Sequence, residues 1–267
     1  MRWRSPIQRR PTAGRPQVKQ VSWTWAVATC RGTSHIRDGT RCDDAAACAE
    51  VAPGVLFAIT CDGAGSAAFG RHGAHLAVRT FTQRARKFTV SRGAWPTDDD
   101  IWGWLDETRD AIGAVAARRE VERRQFASTL IACFVGPKET LVAHVGDGAC
   151  VMRADGAWSA ASWPESGEYA STTYFVTDGE APRLRITRHA PADAVALFTD
   201  GIERLVLDFG QQTVHGPFFE RFIKPVEASA VRGRDGSLSS ALHDYLGSAA
   251  VNERTDDDKS LILAARR

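Results

Sequence analysis

An α+β fold, with antiparallel sheets and helices packed outside them, is the class this sequence predicts. Three observations point there. Short apolar or alternating runs outnumber helical stripes, the two long helical stripes fall together in the first half, and no regular strand–helix–strand alternation appears. The chain has 267 residues, 43% hydrophobic and 25% charged, with 23 Gly and 11 Pro. That composition excludes a coiled coil, a collagen-like repeat and a mostly disordered protein.

In chain order, residues 1–20 carry Arg2, Arg4, Arg9, Arg10, Arg15 and Lys19 among prolines, with no helical or strand periodicity. They read as a basic, poorly ordered tail ahead of a single domain over residues 21–267. Val21 to Cys30, rich in Trp and Val, predicts a strand; a turn-rich stretch follows to Asp44. Val55 to Cys61 is a short apolar run bounded by Pro53-Gly54 and Asp62-Gly63, the pattern of a buried strand. Between Gly70 and about Phe88, Ala74, Ala77, Val78, Phe81 and Ala85 recur at helical spacing. A second helix starts at Asp98-Asp99-Asp100, whose carboxylates favour a helix N-terminus, and its stripe runs through Ile101, Leu105, Thr108, Ile112 and Val115. Ser128 to Val135 and Thr140 to Val145 predict a hairpin closed by Gly136-Pro137-Lys138-Glu139. Ala149 to Arg153 and Trp158 to Trp163 are strands split by Asp155-Gly156. Tyr174 to Thr177, Leu184 to Thr187 and Ala194 to Thr199 predict three more short strands. Helical pattern returns at Phe218 to Phe222 and Ser239 to Gly247, and Ser260 to Ala265 closes the chain as an apolar strand.

Net charge is +2, which makes no case for nucleic acid or a membrane surface as partner. No apolar run approaches the roughly 20 residues of a membrane span, and the first residues lack the apolar core of a secretory signal. A cytoplasmic location is the expectation. The six cysteines form no C-x-x-C pair, no zinc spacing and no cysteine-phosphatase loop, so they read as buried reduced thiols.

Aspartate recurs where strands end. Ile59-Thr60-Cys61 runs into Asp62-Gly63, Ala143-His144-Val145 into Gly146-Asp147-Gly148, and Leu197-Phe198-Thr199 into Asp200-Gly201. Asp256-Asp257-Asp258 leads into the last strand, and Asp43-Asp44 precedes a small-residue segment. One Asp-Gly after a strand is a turn signal. If all these ends meet, their carboxylates repel one another and require cations. Oxygen ligands without a His or Cys complement select hard octahedral ions, Mg²⁺ or Mn²⁺. Two such ions sharing a water would lower its pKa and aim hydroxide at phosphorus, with no protein nucleophile. Other motifs are weaker. Gly65 to His72 lacks the Lys and Ser/Thr of a Walker A loop, and Gly63-Ala64-Gly65-Ser66-Ala67-Ala68 lacks the acid expected about 20 residues beyond a dinucleotide fingerprint, although the Arg residues between Arg79 and Gly93 could accommodate a 2′-phosphate.

The joint order of several blocks resembles the metal-dependent Ser/Thr protein phosphatases of type 2C, most closely their short bacterial branch. The blocks are Gly32-Thr33-Ser34-His35 through Gly39, Asp43-Asp44-Ala45, Cys61-Asp62-Gly63-Ala64-Gly65-Ser66 and Ser128-Thr129-Leu130. Ala143 to Gly148, Glu168-Tyr169-Ala170 through Asp178, Phe198 to Ile202 and Asp257-Asp258-Lys259-Ser260-Leu261 complete the order. The resemblance implies a four-layer α-β-β-α sandwich of two antiparallel sheets flanked by helices, with metals at one end between the sheets, and makes residues 21–267 the catalytic domain. It implies that Asp62 bridges both ions, that the Gly63 carbonyl binds the second, and that Asp200 and Asp257 ligate the first. Asp43 and Asp44 occupy the acidic pair that addresses the second ion, either one being the closer, and Asp147 matches a weaker third site. Implied also are phosphoprotein substrates and a cognate Ser/Thr kinase.

The chain departs from the family where many members place a phosphate-gripping Arg four residues before the acidic pair, because that position is Gly39. His35, Arg37 and Arg41 are the candidates to take over, with His35 also a candidate proton donor to the leaving alkoxide. Ser171 replaces an Asn frequent in the bacterial branch, and the short span from Asp155 to Asp178 leaves little room for a substrate flap. The expected activity is Mn²⁺/Mg²⁺-dependent hydrolysis of phosphoserine and phosphothreonine in proteins. Its rivals are a catalytically inactive phosphoprotein-binding module and a metal-dependent phosphodiesterase or nuclease; the nuclease would show a basic groove beside the site.

Overall fold

Strand β1 (Trp23–Cys30) leads through the single turn of α1 (Thr33–Arg37) into β2 (Ala45–Ala52) and β3 (Val55–Cys61). Two long helices follow, α2 (Gly70–Arg92) and α3 (Asp98–Arg118), then β4 (Leu130–Val135), β5 (Thr140–Val145), β6 (Ala149–Ala154) and β7 (Ala157–Ser162). Next come β8 (Arg185–His189), β9 (Ala194–Phe198), α4 (Glu203–Val206), β10 (Leu207–Asp208) and β11 (Thr213–Val214). The chain ends with α5 (Gly216–Ala228), β12 (Gly233–Arg234), α6 (Gly236–Leu246), α7 (Ala249–Asn252) and β13 (Lys259–Arg266). These elements come from a computed structural model that describes residues 21–92, 95–165 and 173–267. The expected tail over residues 1–20 lies outside them, as do Glu168 to Ser171.

Two sheets stack face to face. One has five antiparallel strands in the order β2-β3-β4-β5-β8, and the other six in the order β12-β1-β13-β9-β6-β7. Helices α2 and α3 cover the outer face of the first sheet, and α5 and α6 that of the second, giving the expected α-β-β-α layering. Between the sheets Trp23, Leu56, Ile131, Cys133, Val142, Leu197 and Ile262 exclude solvent. Inner strands β4 and β5 are buried along their whole length, which is why they read as unbroken apolar runs rather than alternating ones.

Local chemistry explains most boundaries. Thr97 caps α3, its Oγ1 accepting from the Asp100 amide while the Asp100 carboxylate accepts from the Thr97 amide. The buried face of α3 runs Ile101, Trp104, Leu105, Thr108, Ile112 and Ala116, and the expected Val115 packs half-buried against the same core. Asp155 and Gly156, at φ +50° and +77°, turn β6 into β7. Cys30, Cys61, Cys133 and Cys150 are buried and all six thiols are unpaired.

Four expectations are corrected. Ala45–Ala52 is a strand that the sequence reading passed over: its run of alanines carries no strand propensity, and register with β3, Ala45 opposite Cys61 through Ala52 opposite Val55, imposes extended backbone. Tyr174 to Thr177 is no strand but a turn. The Phe175 amide donates to Asp178 Oδ2 at 2.7 Å, and buried Arg109 of α3 donates to the carbonyls of Val176, Asp178, Gly179 and Glu180. One guanidinium thus satisfies acceptors that a sheet ladder would otherwise need. Thr33–Arg37, inside the turn-rich stretch, is helical. Finally, the short β12 pairs with β1 in parallel, at the edge of an otherwise antiparallel sheet.

Candidate metal centre

Strand register decides where the aspartates go. Strands β3 and β5 flank β4 antiparallel to it and therefore end on the same side. Ala45, at the start of β2, faces Cys61 at the end of β3, which brings Asp43-Asp44 to Asp62. In the second sheet Leu261, near the start of β13, and Ala149, at the start of β6, both face Phe198 at the end of β9. Asp147, Asp200 and Asp257 therefore meet at one edge of that sheet. The two edges coincide: Asp62, Asp147 and Asp200 offer carboxylate oxygens within 4.8 Å of one another. With Asp257, Gly63, His35, Thr129 and Thr173 they line a cavity of about 220 Å³.

The carboxylates are held from behind. Thr129 Oγ1 accepts from the Asp62 amide at 2.9 Å while the Thr129 amide donates to the Asp62 carbonyl at 2.8 Å, locking the ends of β3 and β4 together. Asp44, 2% exposed, lies beneath the cluster and accepts from Thr199 Oγ1 at 2.8 Å; that hydroxyl in turn accepts from the Ser260 amide at 3.0 Å. Thr173 Oγ1 donates to Asp147 Oδ2 at 2.5 Å. Asp147 sits between two glycines of positive φ, Gly146 at +99° and Gly148 at +79°, so the loop between β5 and β6 can turn the side chain inward.

Packing so many acids together suppresses their ionisation. Burial, then the charges of Asp44, Asp200, Asp257 and Asp147, push Asp62 well above the ordinary carboxylate range. Burial raises Asp44 to about 7 against the lowering pull of its Thr199 hydrogen bond. Asp200 rises to about 8 through burial and the charges of Asp147, Asp257 and Asp44. Asp147 and Asp257 are raised chiefly by burial as well. Buried Asp44 Oδ1 and Asp200 Oδ1 have no hydrogen-bond partner among the described residues. Unpartnered acceptor oxygens in a crowded, oxygen-only set are what hard divalent cations satisfy, so the residues present fit the expected metals.

The remaining candidates fall in different places. His35 lines the cavity, and its Nδ1 is 2.8 Å from Asp258 Oδ2. Arg37 reaches only Asp38, at 3.8 Å, Arg41 is exposed, and neither lines the cavity. Asp43 is half-buried beside His35, Asp258 and Arg71, whereas Asp44 is the member of the pair set against Asp62. Sequence reading missed two residues. Asp258, 2% exposed, takes hydrogen bonds from the Gly32 amide at 2.6 Å and the Asp43 amide at 2.5 Å besides its contact to His35. It ties the chain on either side of α1 to the start of β13; the Asp256-Asp257-Asp258 run was its only signal. Arg71, at the start of α2, donates to the Cys42 carbonyl and brings a guanidinium beside Asp43; only the fold brings it there.

Comparison with known proteins follows this geometry. A family profile described as "Protein phosphatase 2C" matches residues 31–247. The chain belongs to the protein phosphatase 2C family. This phosphatase 2C is 36% identical over 252 residues to "Serine/threonine-protein phosphatase 3" of Escherichia coli (strain K12), covering 91% of this chain and 98% of that one. Its fold is similar to that of the Mycobacterium tuberculosis serine/threonine phosphatase PstP/Ppp, with a TM-score of 0.64 at 12% identity over 91% of this chain and 98% of that one. It is also similar to the catalytic domain of PstP in complex with two manganese ions, with a TM-score of 0.61 at 13% identity over 92% and 99% of the two chains.

Two substitutions probe how the site is held. A Cβ at Gly201 would stand 1.8 Å from the Asp258 carbonyl oxygen. Gly201→Ala is therefore expected to force β9 and β13 apart beside the cluster and cost about 3 kcal/mol in denaturant unfolding. Asp258→Ala strands the buried Gly32 amide and the half-buried Asp43 amide and frees His35; it is expected to cost about 2–4 kcal/mol and to lower turnover about 10- to 100-fold. Calorimetry and initial rates check both parts.

Proposed function

We propose that this phosphatase 2C hydrolyses phosphoserine and phosphothreonine in proteins, using two divalent ions, Mn²⁺ or Mg²⁺, in the carboxylate cavity. The observation that carries the reading is the meeting of Asp44, Asp62, Asp147, Asp200 and Asp257, from strand ends of both sheets, with two buried oxygens unpartnered. Asp62, at the centre of the cluster, would touch both ions, with the Gly63 carbonyl and the Asp43-Asp44 pair serving one and Asp200 and Asp257 the other; Asp147 would serve a weaker third. When bound, the ions supply Lewis-acid polarisation of the phosphoryl oxygens and acidify the attacking water.

The protein's own part is to place charge and protons. Its carboxylates fix the cations before substrate arrives, so charge growing on the phosphoryl oxygens meets a field that needs no reorganisation. As water attacks phosphorus and the bond to the Ser or Thr oxygen breaks, that oxygen leaves as an alkoxide and must gain a proton. Protonated on both ring nitrogens, with Nδ1 held by the Asp258 carboxylate, His35 would give up the Nε2 proton in that transfer. Arg71 stands nearer the acidic pair than the exposed Arg37 and is the better placed guanidinium to meet a phosphate at the mouth. A cognate Ser/Thr kinase and a cytoplasmic location belong to the same reading; no described helix is long and apolar enough to cross a membrane.

The test is hydrolysis of p-nitrophenyl phosphate and of a phosphothreonine peptide with and without Mn²⁺. Metal-dependent turnover of both supports the reading. A folded, metal-loaded protein that cleaves neither is the inactive binding module, and one that cleaves phosphodiesters in preference is the nuclease.

A further inference from the structure

Helix α2 carries a charge pattern that the metal centre does not use. Across its 23 residues there is no Asp or Glu. Arg71, His72, His75, Arg79 and Arg86 recur at helical spacing and line one groove of about 710 Å³. His72, His75, Arg79 and Arg86 are exposed. No described carboxylate lies within 4.0 Å of Arg71, Arg79 or Arg86, whereas Arg84, on another face, is paired with Glu107. Arg71, Arg79 and Arg86 follow one another about two turns apart with no acid on the helix, so this face carries a positive potential that an anionic partner would meet. The floor of the groove is apolar, made by Ala47, Leu76, Val78 and Val115.

This groove adjoins the metal cavity. The backbone of Gly63, which lines the cavity, packs so closely on Gly70 and Arg71 that a Cβ there would fall 2.6 Å from the Arg71 amide nitrogen. Arg71 is thus the wall between the two, its side chain in the groove and its guanidinium beside Asp43. A peptide whose phosphoryl group enters the cavity can lay its neighbouring residues along α2.

We propose that the α2 groove is the specificity surface for the substrate's flanking sequence, selecting phosphoproteins with acidic residues beside the phosphorylated Ser or Thr. The inference rests on the phosphatase reading above and adds the substrate class. Acidic side chains complement the three arginines, the histidine rings offer hydrogen bonds between them, and an apolar side chain can seat on the Leu76–Val78 floor. Peptide is favoured over nucleic acid because the relative covered over most of its length is a protein phosphatase and because no Phe, Tyr or Trp lines the groove; only His72 and His75 offer rings there. The contacts are exposed, so each pair is weak and screened, and selectivity comes from several acting together.

The test compares wild-type protein with Arg79→Glu/Arg86→Glu, both with Mn²⁺, on three substrates: p-nitrophenyl phosphate, a phosphothreonine peptide flanked by glutamates, and the same peptide with glutamines instead. The wild type is expected to favour the glutamate peptide through KM at low salt, a preference that fades at high salt. In the variant, KM for that peptide is expected to rise about 10-fold while the small ester, too short to reach the groove, is turned over as before. Arg79→Gln/Arg86→Gln, with the same outcome in milder form, serves if charge reversal unfolds the helix. Equal handling of the two peptides by the wild type overturns the proposal, as does equal loss on ester and peptide in a folded variant. Tighter competition by a single-stranded oligonucleotide than by the unphosphorylated glutamate peptide also overturns it. Should the wild type cleave no ester, the phosphatase reading fails separately. The groove is then judged by fluorescence anisotropy of a labelled, unphosphorylated glutamate peptide: salt-sensitive binding lost in the variant upholds it, and no binding overturns it.

Discussion

Asp62→Asn is expected to abolish metal-dependent turnover, by about 10³-fold or more, while making the metal-free protein more stable. The two effects share one cause. Burial, then the charges of Asp44, Asp200, Asp257 and Asp147, raise the Asp62 pKa. With cations bound, its charge would couple the ligands of the two sheets; without them, the folded state keeps it only by holding a proton that the unfolded chain releases. An amide keeps the shape and needs no proton, so metal affinity falls while the metal-free fold is freed of that protonation cost, by about 1–2 kcal/mol. Calorimetric metal titration, initial rates and metal-free thermal melts measure all three. Wild-type turnover in the variant would remove Asp62 from the mechanism, and a large loss of metal-free stability would show a purely architectural role.

The pH dependence of stability is expected to change sign with metal. Asp44 and Asp200 have folded pKa values raised from 3.8 to about 7 and about 8. Between pH 4 and 8 the metal-free folded state therefore holds protons that the unfolded chain has released, and its stability falls as pH rises through that window. Glu203, raised from 4.5 to about 7 by burial and by Asp147, adds to the trend. Each of these groups contributes a loss of about 1.4 kcal/mol per pH unit while only the folded state holds its proton, so several kcal/mol are expected to be lost from pH 5 to pH 8. Divalent ions bind the deprotonated carboxylates, so their affinity climbs over the same range. At about 100 times its Kd, Mn²⁺ is expected to return about 2.7 kcal/mol at pH 8 and much less at pH 5. Urea titrations at several pH values, with Mn²⁺ and with chelator, check the sign; a metal-free protein that gains stability from pH 5 to pH 8 refutes the assignment.

Much of this architecture was legible in the residues. Apolar runs with turn punctuation gave the inner strands, and Asp at the end of each run pointed to the carboxylates that the register then gathers. What escaped depends on tertiary context. The alanines of β2 are extended because β3 and α2 demand a thin strand there, not because alanine favours one. The Tyr174–Thr177 segment looks like a strand until Arg109, distant in sequence, supplies donors to carbonyls within it and just beyond it. Asp258 was hidden in a run of three acids whose members take different tasks: Asp257 faces the cavity, while Asp258 turns back to the Gly32 and Asp43 amides. Arg71 had no local signature as a site residue, because its place beside Asp43 follows from how α2 enters behind the Gly63–Gly70 loop.

The strand ends that carry the carboxylates belong to opposite sheets, Asp44 and Asp62 to one and Asp200 and Asp257 to the other. Ions held by them would act as a clasp on the open end of the sandwich. Breathing motions that separate the sheets there must first break coordination, so amide hydrogens at the ends of β3 and β9 should exchange slowly in concert when metal is present and independently when it is stripped. Occupancy of the centre would then be readable as local rigidity far below the denaturation temperature, with no substrate in the tube.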